Sequence, residues 1–126
     1  MLGKWKSMAE RIPPELQTRI AQLQQLQEQL RIILAQKQSV EAELREVERV
    51  ISELTKMSND AELYKSIGHI LVKTSKEDLM KELTEKKEIL ELRKRTLEKQ
   101  ESFLQKQFED LRKKVTEELM KTYRRT

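Results

Sequence analysis

One short run constrains this chain more than any other feature. Leu63-Tyr64-Lys65-Ser66-Ile67-Gly68-His69-Ile70-Leu71-Val72-Lys73-Thr74 stands between two long charged stretches. It is rich in β-branched and large apolar residues and carries the only glycine in the middle of the sequence. Gly68-His69 suits the centre of a two-residue turn, with glycine first as a type II′ turn requires. The spacing then predicts Ile67 opposite Ile70 and Lys65 opposite Val72. A hairpin projecting from a helical arm leaves its strand edges unpaired, and another chain has to cover them. We therefore read the run as an assembly element; an irregular helix–helix connection is the blander alternative.

The flanking stretches have a period of seven. Leu16, Leu23, Leu30, Leu44 and Ile51 form one row, interrupted by Lys37. Leu26, Ile33, Val40, Val47 and Leu54 form a second, with Arg19 at its start. Rows offset by three and four are the a and d positions of a left-handed coiled coil. Beyond the hairpin, Leu83, Leu90, Leu97, Leu104 and Leu111 make an unbroken row. Its companion row is poor, with Met80 followed by Lys87, Lys94 and Glu101 before Phe108 and Val115. The polar half-seam predicts loose packing around Leu97 and a better-made layer around Leu30.

Boundaries follow from local chemistry. Pro14 suits a first helical position, Ser58-Asn59-Asp60 is turn chemistry, and Ser75 with Asp78 resembles a capping box. The expected organisation is a tail over 1–12, a first helix over 13–57, a turn and hairpin over 58–75, a second helix over 76–123 and a basic end at 124–126. The fold class is all-α dominated: a long antiparallel two-helix coiled coil with a β-hairpin between the helices. Lys37 and Arg19 at seam positions read as long side chains snorkelling to water or as polar residues that set the register.

Composition narrows function by exclusion. Charged residues supply 38% and aromatic residues 4%, which describes exposed helix better than a globular core. With no cysteine the chain has no thiol chemistry, in keeping with a reducing, cytoplasmic setting. There is no membrane-spanning apolar run and no signal-peptide core near Met1. The net charge of +4 comes from 26 basic and 22 acidic residues well interspersed, unlike a nucleic-acid-binding stripe. His69, the only histidine, sits at a turn without a second ligand at metal spacing. No nucleophile–base pair or phosphate loop is present, so neither catalysis nor a cofactor is expected.

The block from Ser58 to Glu82 resembles the signature of the β-class prefoldin subunits of archaeal type. Its most specific part is Tyr64-Lys65-x-Ile67-Gly68 followed by Leu71-Val72-Lys73-Thr74. The order around it agrees, with Pro13-Pro14, a Gln-rich heptad helix, the hairpin and a charged helix. The resemblance extends over about residues 12–120. It implies an ATP-independent co-chaperone, a holdase in a hetero-hexamer of two α-class and four β-class subunits. The hairpins would join in an oligomeric β-barrel, and the coiled-coil tips would hold unfolded proteins and deliver them to a group II chaperonin. The rival reading is a structural coiled-coil scaffold or tether without chaperone activity.

On this resemblance the assembly residues are Tyr64, Ile67, Gly68, Ile70, Leu71 and Val72. The candidate binding tip takes in the inner faces of the helix ends, Leu16, Ile20, Val115 and Leu119, and, on their spacing alone since residues 1–12 depart from the family's short N-terminus, the N-terminal residues. There Met1, Trp5, Met8 and Ile12 fall on one side of a short amphipathic helix, with Leu2 beside them. Met- and Trp-bearing surfaces adapt to varied apolar partners. An unstructured tail with incidental hydrophobes fits the same spacing equally well, and the segment is short for a membrane-surface helix. Lys121, Tyr123, Arg124 and Arg125 form a basic end suited to an acidic chaperonin surface, with a merely solubilising charged tail as the plainer reading.

Overall fold

The computed structural model describes residues 12–124. Helix α1 spans Pro14–Thr55, strand β1 Leu63–Ile67, strand β2 Ile70–Thr74 and helix α2 Lys76–Arg124. Pro14 opens α1 because its missing N–H belongs to the group that finds no partner in a first turn anyway. The Gln17 amide N–H donates to the Pro13 carbonyl at 3.0 Å, and the Gln17 side chain donates to the Ile12 carbonyl at 3.0 Å.

The helical region of α1 is slightly shorter than the expected 13–57. Lys56 and Met57 donate to carbonyls three residues back, at 3.2 and 3.1 Å, so the last turn tightens and stops. Ser58 then holds the turn, its hydroxyl accepting from Asp60 N–H at 3.2 Å and its carbonyl from Ala61 N–H at 3.1 Å. Lys76 Nζ donates to the Met57 carbonyl at 2.8 Å, a cation placed at the negative end of α1.

Helix α2 begins as its capping residue dictates. Ser75 Oγ accepts from the Asp78 N–H at 3.1 Å, and the Ser75 carbonyl takes the first helical bond from Leu79 at 3.0 Å. Ser75→Ala is expected to cost about 1 kcal/mol in unfolding free energy, with Ser75→Asp retaining most of it; chemical unfolding of both variants checks this. At the other end Arg124 lies inside α2 rather than beyond it.

The described residues divide into two compact units, one formed by 36–98 and the other by 12–35 with 99–124. In the first, Val40, Leu44, Val47 and Leu54 of α1 and Leu90 and Leu97 of α2 are buried, and Glu43 meets Lys86 Nζ at 3.4 Å across the seam. Lys87 and Lys94, which interrupt the companion row, are half-buried, and Lys87 reaches Glu91 at 3.9 Å. Each lies one turn before Leu90 or Leu97, a spacing at which a lysine stem can cover the leucine while its charge reaches water. This layer is well covered, not loose.

In the second unit Leu16 and Val115 are buried. Leu23, Leu26, Leu30, Ile33, Leu104 and Leu111 keep part of their surface in water although all occupy seam positions. Arg19, a seam cation by spacing, forms an ion pair with Glu118 of α2. It therefore bridges the helix ends, an outcome that differs from a side chain simply reaching to solvent.

Candidate interaction surfaces

The hairpin has the expected register. Leu63 pairs with Thr74, Tyr64 with Lys73, Lys65 with Val72, Ser66 with Leu71 and Ile67 with Ile70. Gly68 adopts φ 59°, and no other described residue has positive φ, which is the type II′ pattern. Ser66 Oγ donates to the Gly68 carbonyl at 3.3 Å. Open space surrounds Gly68, so its requirement is conformational rather than steric. His69 sits exposed beside it at the turn.

Residues directly opposite in an antiparallel pair share a face. Lys65, Ile67, Ile70 and Val72 therefore stand together, while Tyr64, Ser66, Leu71 and Lys73 occupy the opposite side. Lys65 Nζ reaches Glu82 of α2 at 3.0 Å, so the first face looks toward that helix. Even so, Ile70 is 65% exposed, and Leu71 on the other face is 71% exposed. Two strands with apolar side chains open on both faces and both edges unpaired form an incomplete sheet. Completion by another chain is the physical remedy.

Further along α2 the periodicity gave no warning of Ile89 and Leu92. They are three residues apart and largely exposed. Ile89 follows Glu82 by two helical turns, so it lies on the side of α2 that the hairpin's Lys65 approaches. Neither residue belongs to a seam row, so a period of seven does not mark them.

The candidate tip residues separate into three groups. Leu16 is 1% exposed and Val115 is also buried, so both are committed to the seam between the helix ends. Offering them to a ligand would require the ends to part. Ile20 and Leu119 are half-buried, as is Ile12. Met1, Leu2, Trp5, Met8 and Arg125 lie outside the described residues. Of the basic end, Lys121, Tyr123 and Arg124 are exposed.

Behind the closed pair Leu16 and Val115, a groove of about 440 Å³ runs between the helices. Gln22, Gln25 and Gln29 line it from α1 and Gln107 from α2. Leu26 and Leu111 are half-buried along it, and Asp110 and Lys114 complete its wall. A second hollow, lined in part by Pro13, Leu16, Arg19 and Glu118, marks the helix ends themselves.

Surface charge is arranged as local pairs. Arg31 donates to Glu28, Arg49 to Glu46 and Arg112 to Glu109, each one helical turn apart. These hydrogen bonds hold the three carboxyls below their ordinary range. Such pairs belong to a solvated helix face. Among the described residues no cluster of acidic or histidine side chains forms a metal site, and no helix is long and apolar enough to cross a membrane.

Comparison with known proteins agrees with this architecture. A family model described as prefoldin subunit matches residues 17–122. The prefoldin subunit beta of Sulfurisphaera tokodaii is 53% identical over 116 residues, 92% of this chain and 93% of that protein. Its counterpart in Saccharolobus islandicus is 50% identical over 92% of each chain. Among solved structures, the prefoldin beta subunit from Thermococcus strain KS-1 superposes with a TM-score of 0.81 at 38% identity, covering 86% of this chain and 95% of its own. The beta2 subunit from the same strain, at 19% identity and a TM-score of 0.66, shares the fold.

Proposed function

This chain belongs to the prefoldin subunit family, and from that premise we propose that it is the β-class component of a cytoplasmic hetero-hexamer with two α-class and four β-class subunits. It is a chaperone-type subunit. In the proposed mechanism the hairpins join into a β-barrel platform, and the helix ends hold non-native proteins without nucleotide. The complex then passes its clients to a group II chaperonin, with the basic end at Lys121, Tyr123, Arg124 and Arg125 as the docking surface. Several weak contacts tethered on one platform raise effective concentration, so no single tip needs high affinity.

The observation that carries this reading is the incomplete hairpin. A tether or scaffold built from the same heptads has no use for two exposed strands whose large apolar residues, Tyr64, Ile67, Ile70 and Leu71, all lie open. Capture without covalent chemistry also suits a surface of alternating carboxylates and cations with half-buried leucines between them.

The test is suppression of aggregation. The chain is co-produced with an α-class subunit and mixed with a chemically denatured protein in the absence of nucleotide. Light scattering should stay low. A complex lacking residues 1–12 should keep its native mass and lose much of this protection, because Met1, Trp5, Met8 and Ile12 are proposed to contribute to capture. Full protection by the truncated complex would move the capture surface to Ile20, Leu119 and their neighbours. No protection by the complete complex would favour the tether.

A further inference from the structure

Uncharged amides line the groove near the helix ends. The flanks of a coiled-coil seam ordinarily carry opposite charges that bridge the helices, as Glu43 and Lys86 do in the other unit. Around Leu26 the flanking positions are instead Gln22, Gln25 and Gln29, with Gln107 across the groove. The leucines there remain half-buried, so the groove stays open where the same seam elsewhere closes.

We propose that this groove binds the main chain of extended, non-native polypeptide through its glutamine amides, with Leu26 and Leu111 as the apolar floor. The proposal rests on the capture reading above and specifies what is recognised. A side-chain amide carries two donors and one acceptor with no net charge. The peptide group is its chemical counterpart, and it is the one polar group that every unfolded protein displays at each residue, proline's N–H excepted. Four uncharged amides therefore pair with any sequence, whereas a charged rim would reject clients of like sign. Asp110 and Lys114 stand in the same wall with opposite charges, which leaves the groove without a charge preference. From Gln22 to Gln29 is two helical turns, about 10 Å, or the length of about three extended residues. A partly desolvated floor strengthens the hydrogen bonds formed above it.

The experiment compares two probes on the complex assembled with its α-class partner. One is a fluorescent peptide of alternating leucine and serine; the other has the same side chains but N-methylated backbone amides. The wild-type complex should bind the methylated peptide more weakly, by about fivefold for each hydrogen bond lost. In Gln25→Ala/Gln29→Ala/Gln107→Ala the difference between the two peptides should fall to at most the one bond Gln22 can still make, with helicity and native mass unchanged. Both should bind more weakly than the methylated peptide binds the wild type, because the carbonyls also lose their amide donors. Equal binding of both peptides by the wild type overturns the proposal. So does discrimination that persists undiminished in the triple variant, and so does failure to bind either peptide by a complex that still protects denatured protein. Loss of protection in the wild-type complex itself would instead refute the capture reading on which the proposal rests.

Discussion

Ile70→Asp is expected to dismantle the oligomer while leaving both helices formed. Ile70 pairs with Ile67 beside the Gly68 turn and is mostly exposed in the single chain, so a carboxylate there costs little until a neighbour covers it. In the proposed assembled sheet it becomes a buried charge beside Ile67 and Val72. An uncompensated buried charge costs about 3–5 kcal/mol, a loss of more than roughly a hundredfold in association at each contact. Val72, on the same face, makes a poorer test. It lies directly across from Lys65, which already pairs with Glu82, so an aspartate at 72 would gain a cation within reach. Sedimentation should therefore give a collapsed mass for Ile70→Asp and a milder loss for Val72→Asp, with far-UV circular dichroism unchanged in both. An undiminished mass for Ile70→Asp would refute assembly through the hairpin.

The contrast between Ile70 and Val72 illustrates what could be read in advance. The hairpin's register was legible because a two-residue turn with glycine first leaves one pairing of the flanking strands, and a slip would move every side chain to the wrong face. Helix limits were legible to within two residues because Pro14, Ser58 and Ser75 act through their own backbone bonds. Which face of the hairpin meets α2 was not legible, since it depends on Lys65 reaching Glu82 seventeen residues away. The groove at Leu26 was hidden for a similar reason. A row of leucines reports that a seam exists, but how far it closes is decided by the residues alongside, and glutamines and lysines behave differently there. Trp5 and its neighbours lie outside the described residues, and Leu16 and Val115, read as inner faces of the helix ends, are closed off because the seam buries them.

The same distinction sets the second large effect. Leu97→Ala should destabilise the chain more than Leu30→Ala, the reverse of what the polar companion row implies. Leu97 is 6% exposed and shares its unit with buried Leu44, Val47 and Leu90, so truncation leaves a cavity and should approach the 2–5 kcal/mol typical of core leucines. Leu30 remains half-buried. Part of its side chain is already in water, and truncation there should cost roughly half as much by the area lost. Lys94 is half-buried one turn before Leu97, so Lys94→Ala should itself destabilise modestly by exposing Leu97, although it removes a cation from a basic chain. Chemical unfolding of the three variants, followed by far-UV circular dichroism, gives the order Leu97→Ala, Leu30→Ala, Lys94→Ala from largest to smallest loss. If Leu30→Ala proves the most damaging, the seam closes around residues 22–33 in solution, and the groove proposed to hold extended polypeptide closes with it.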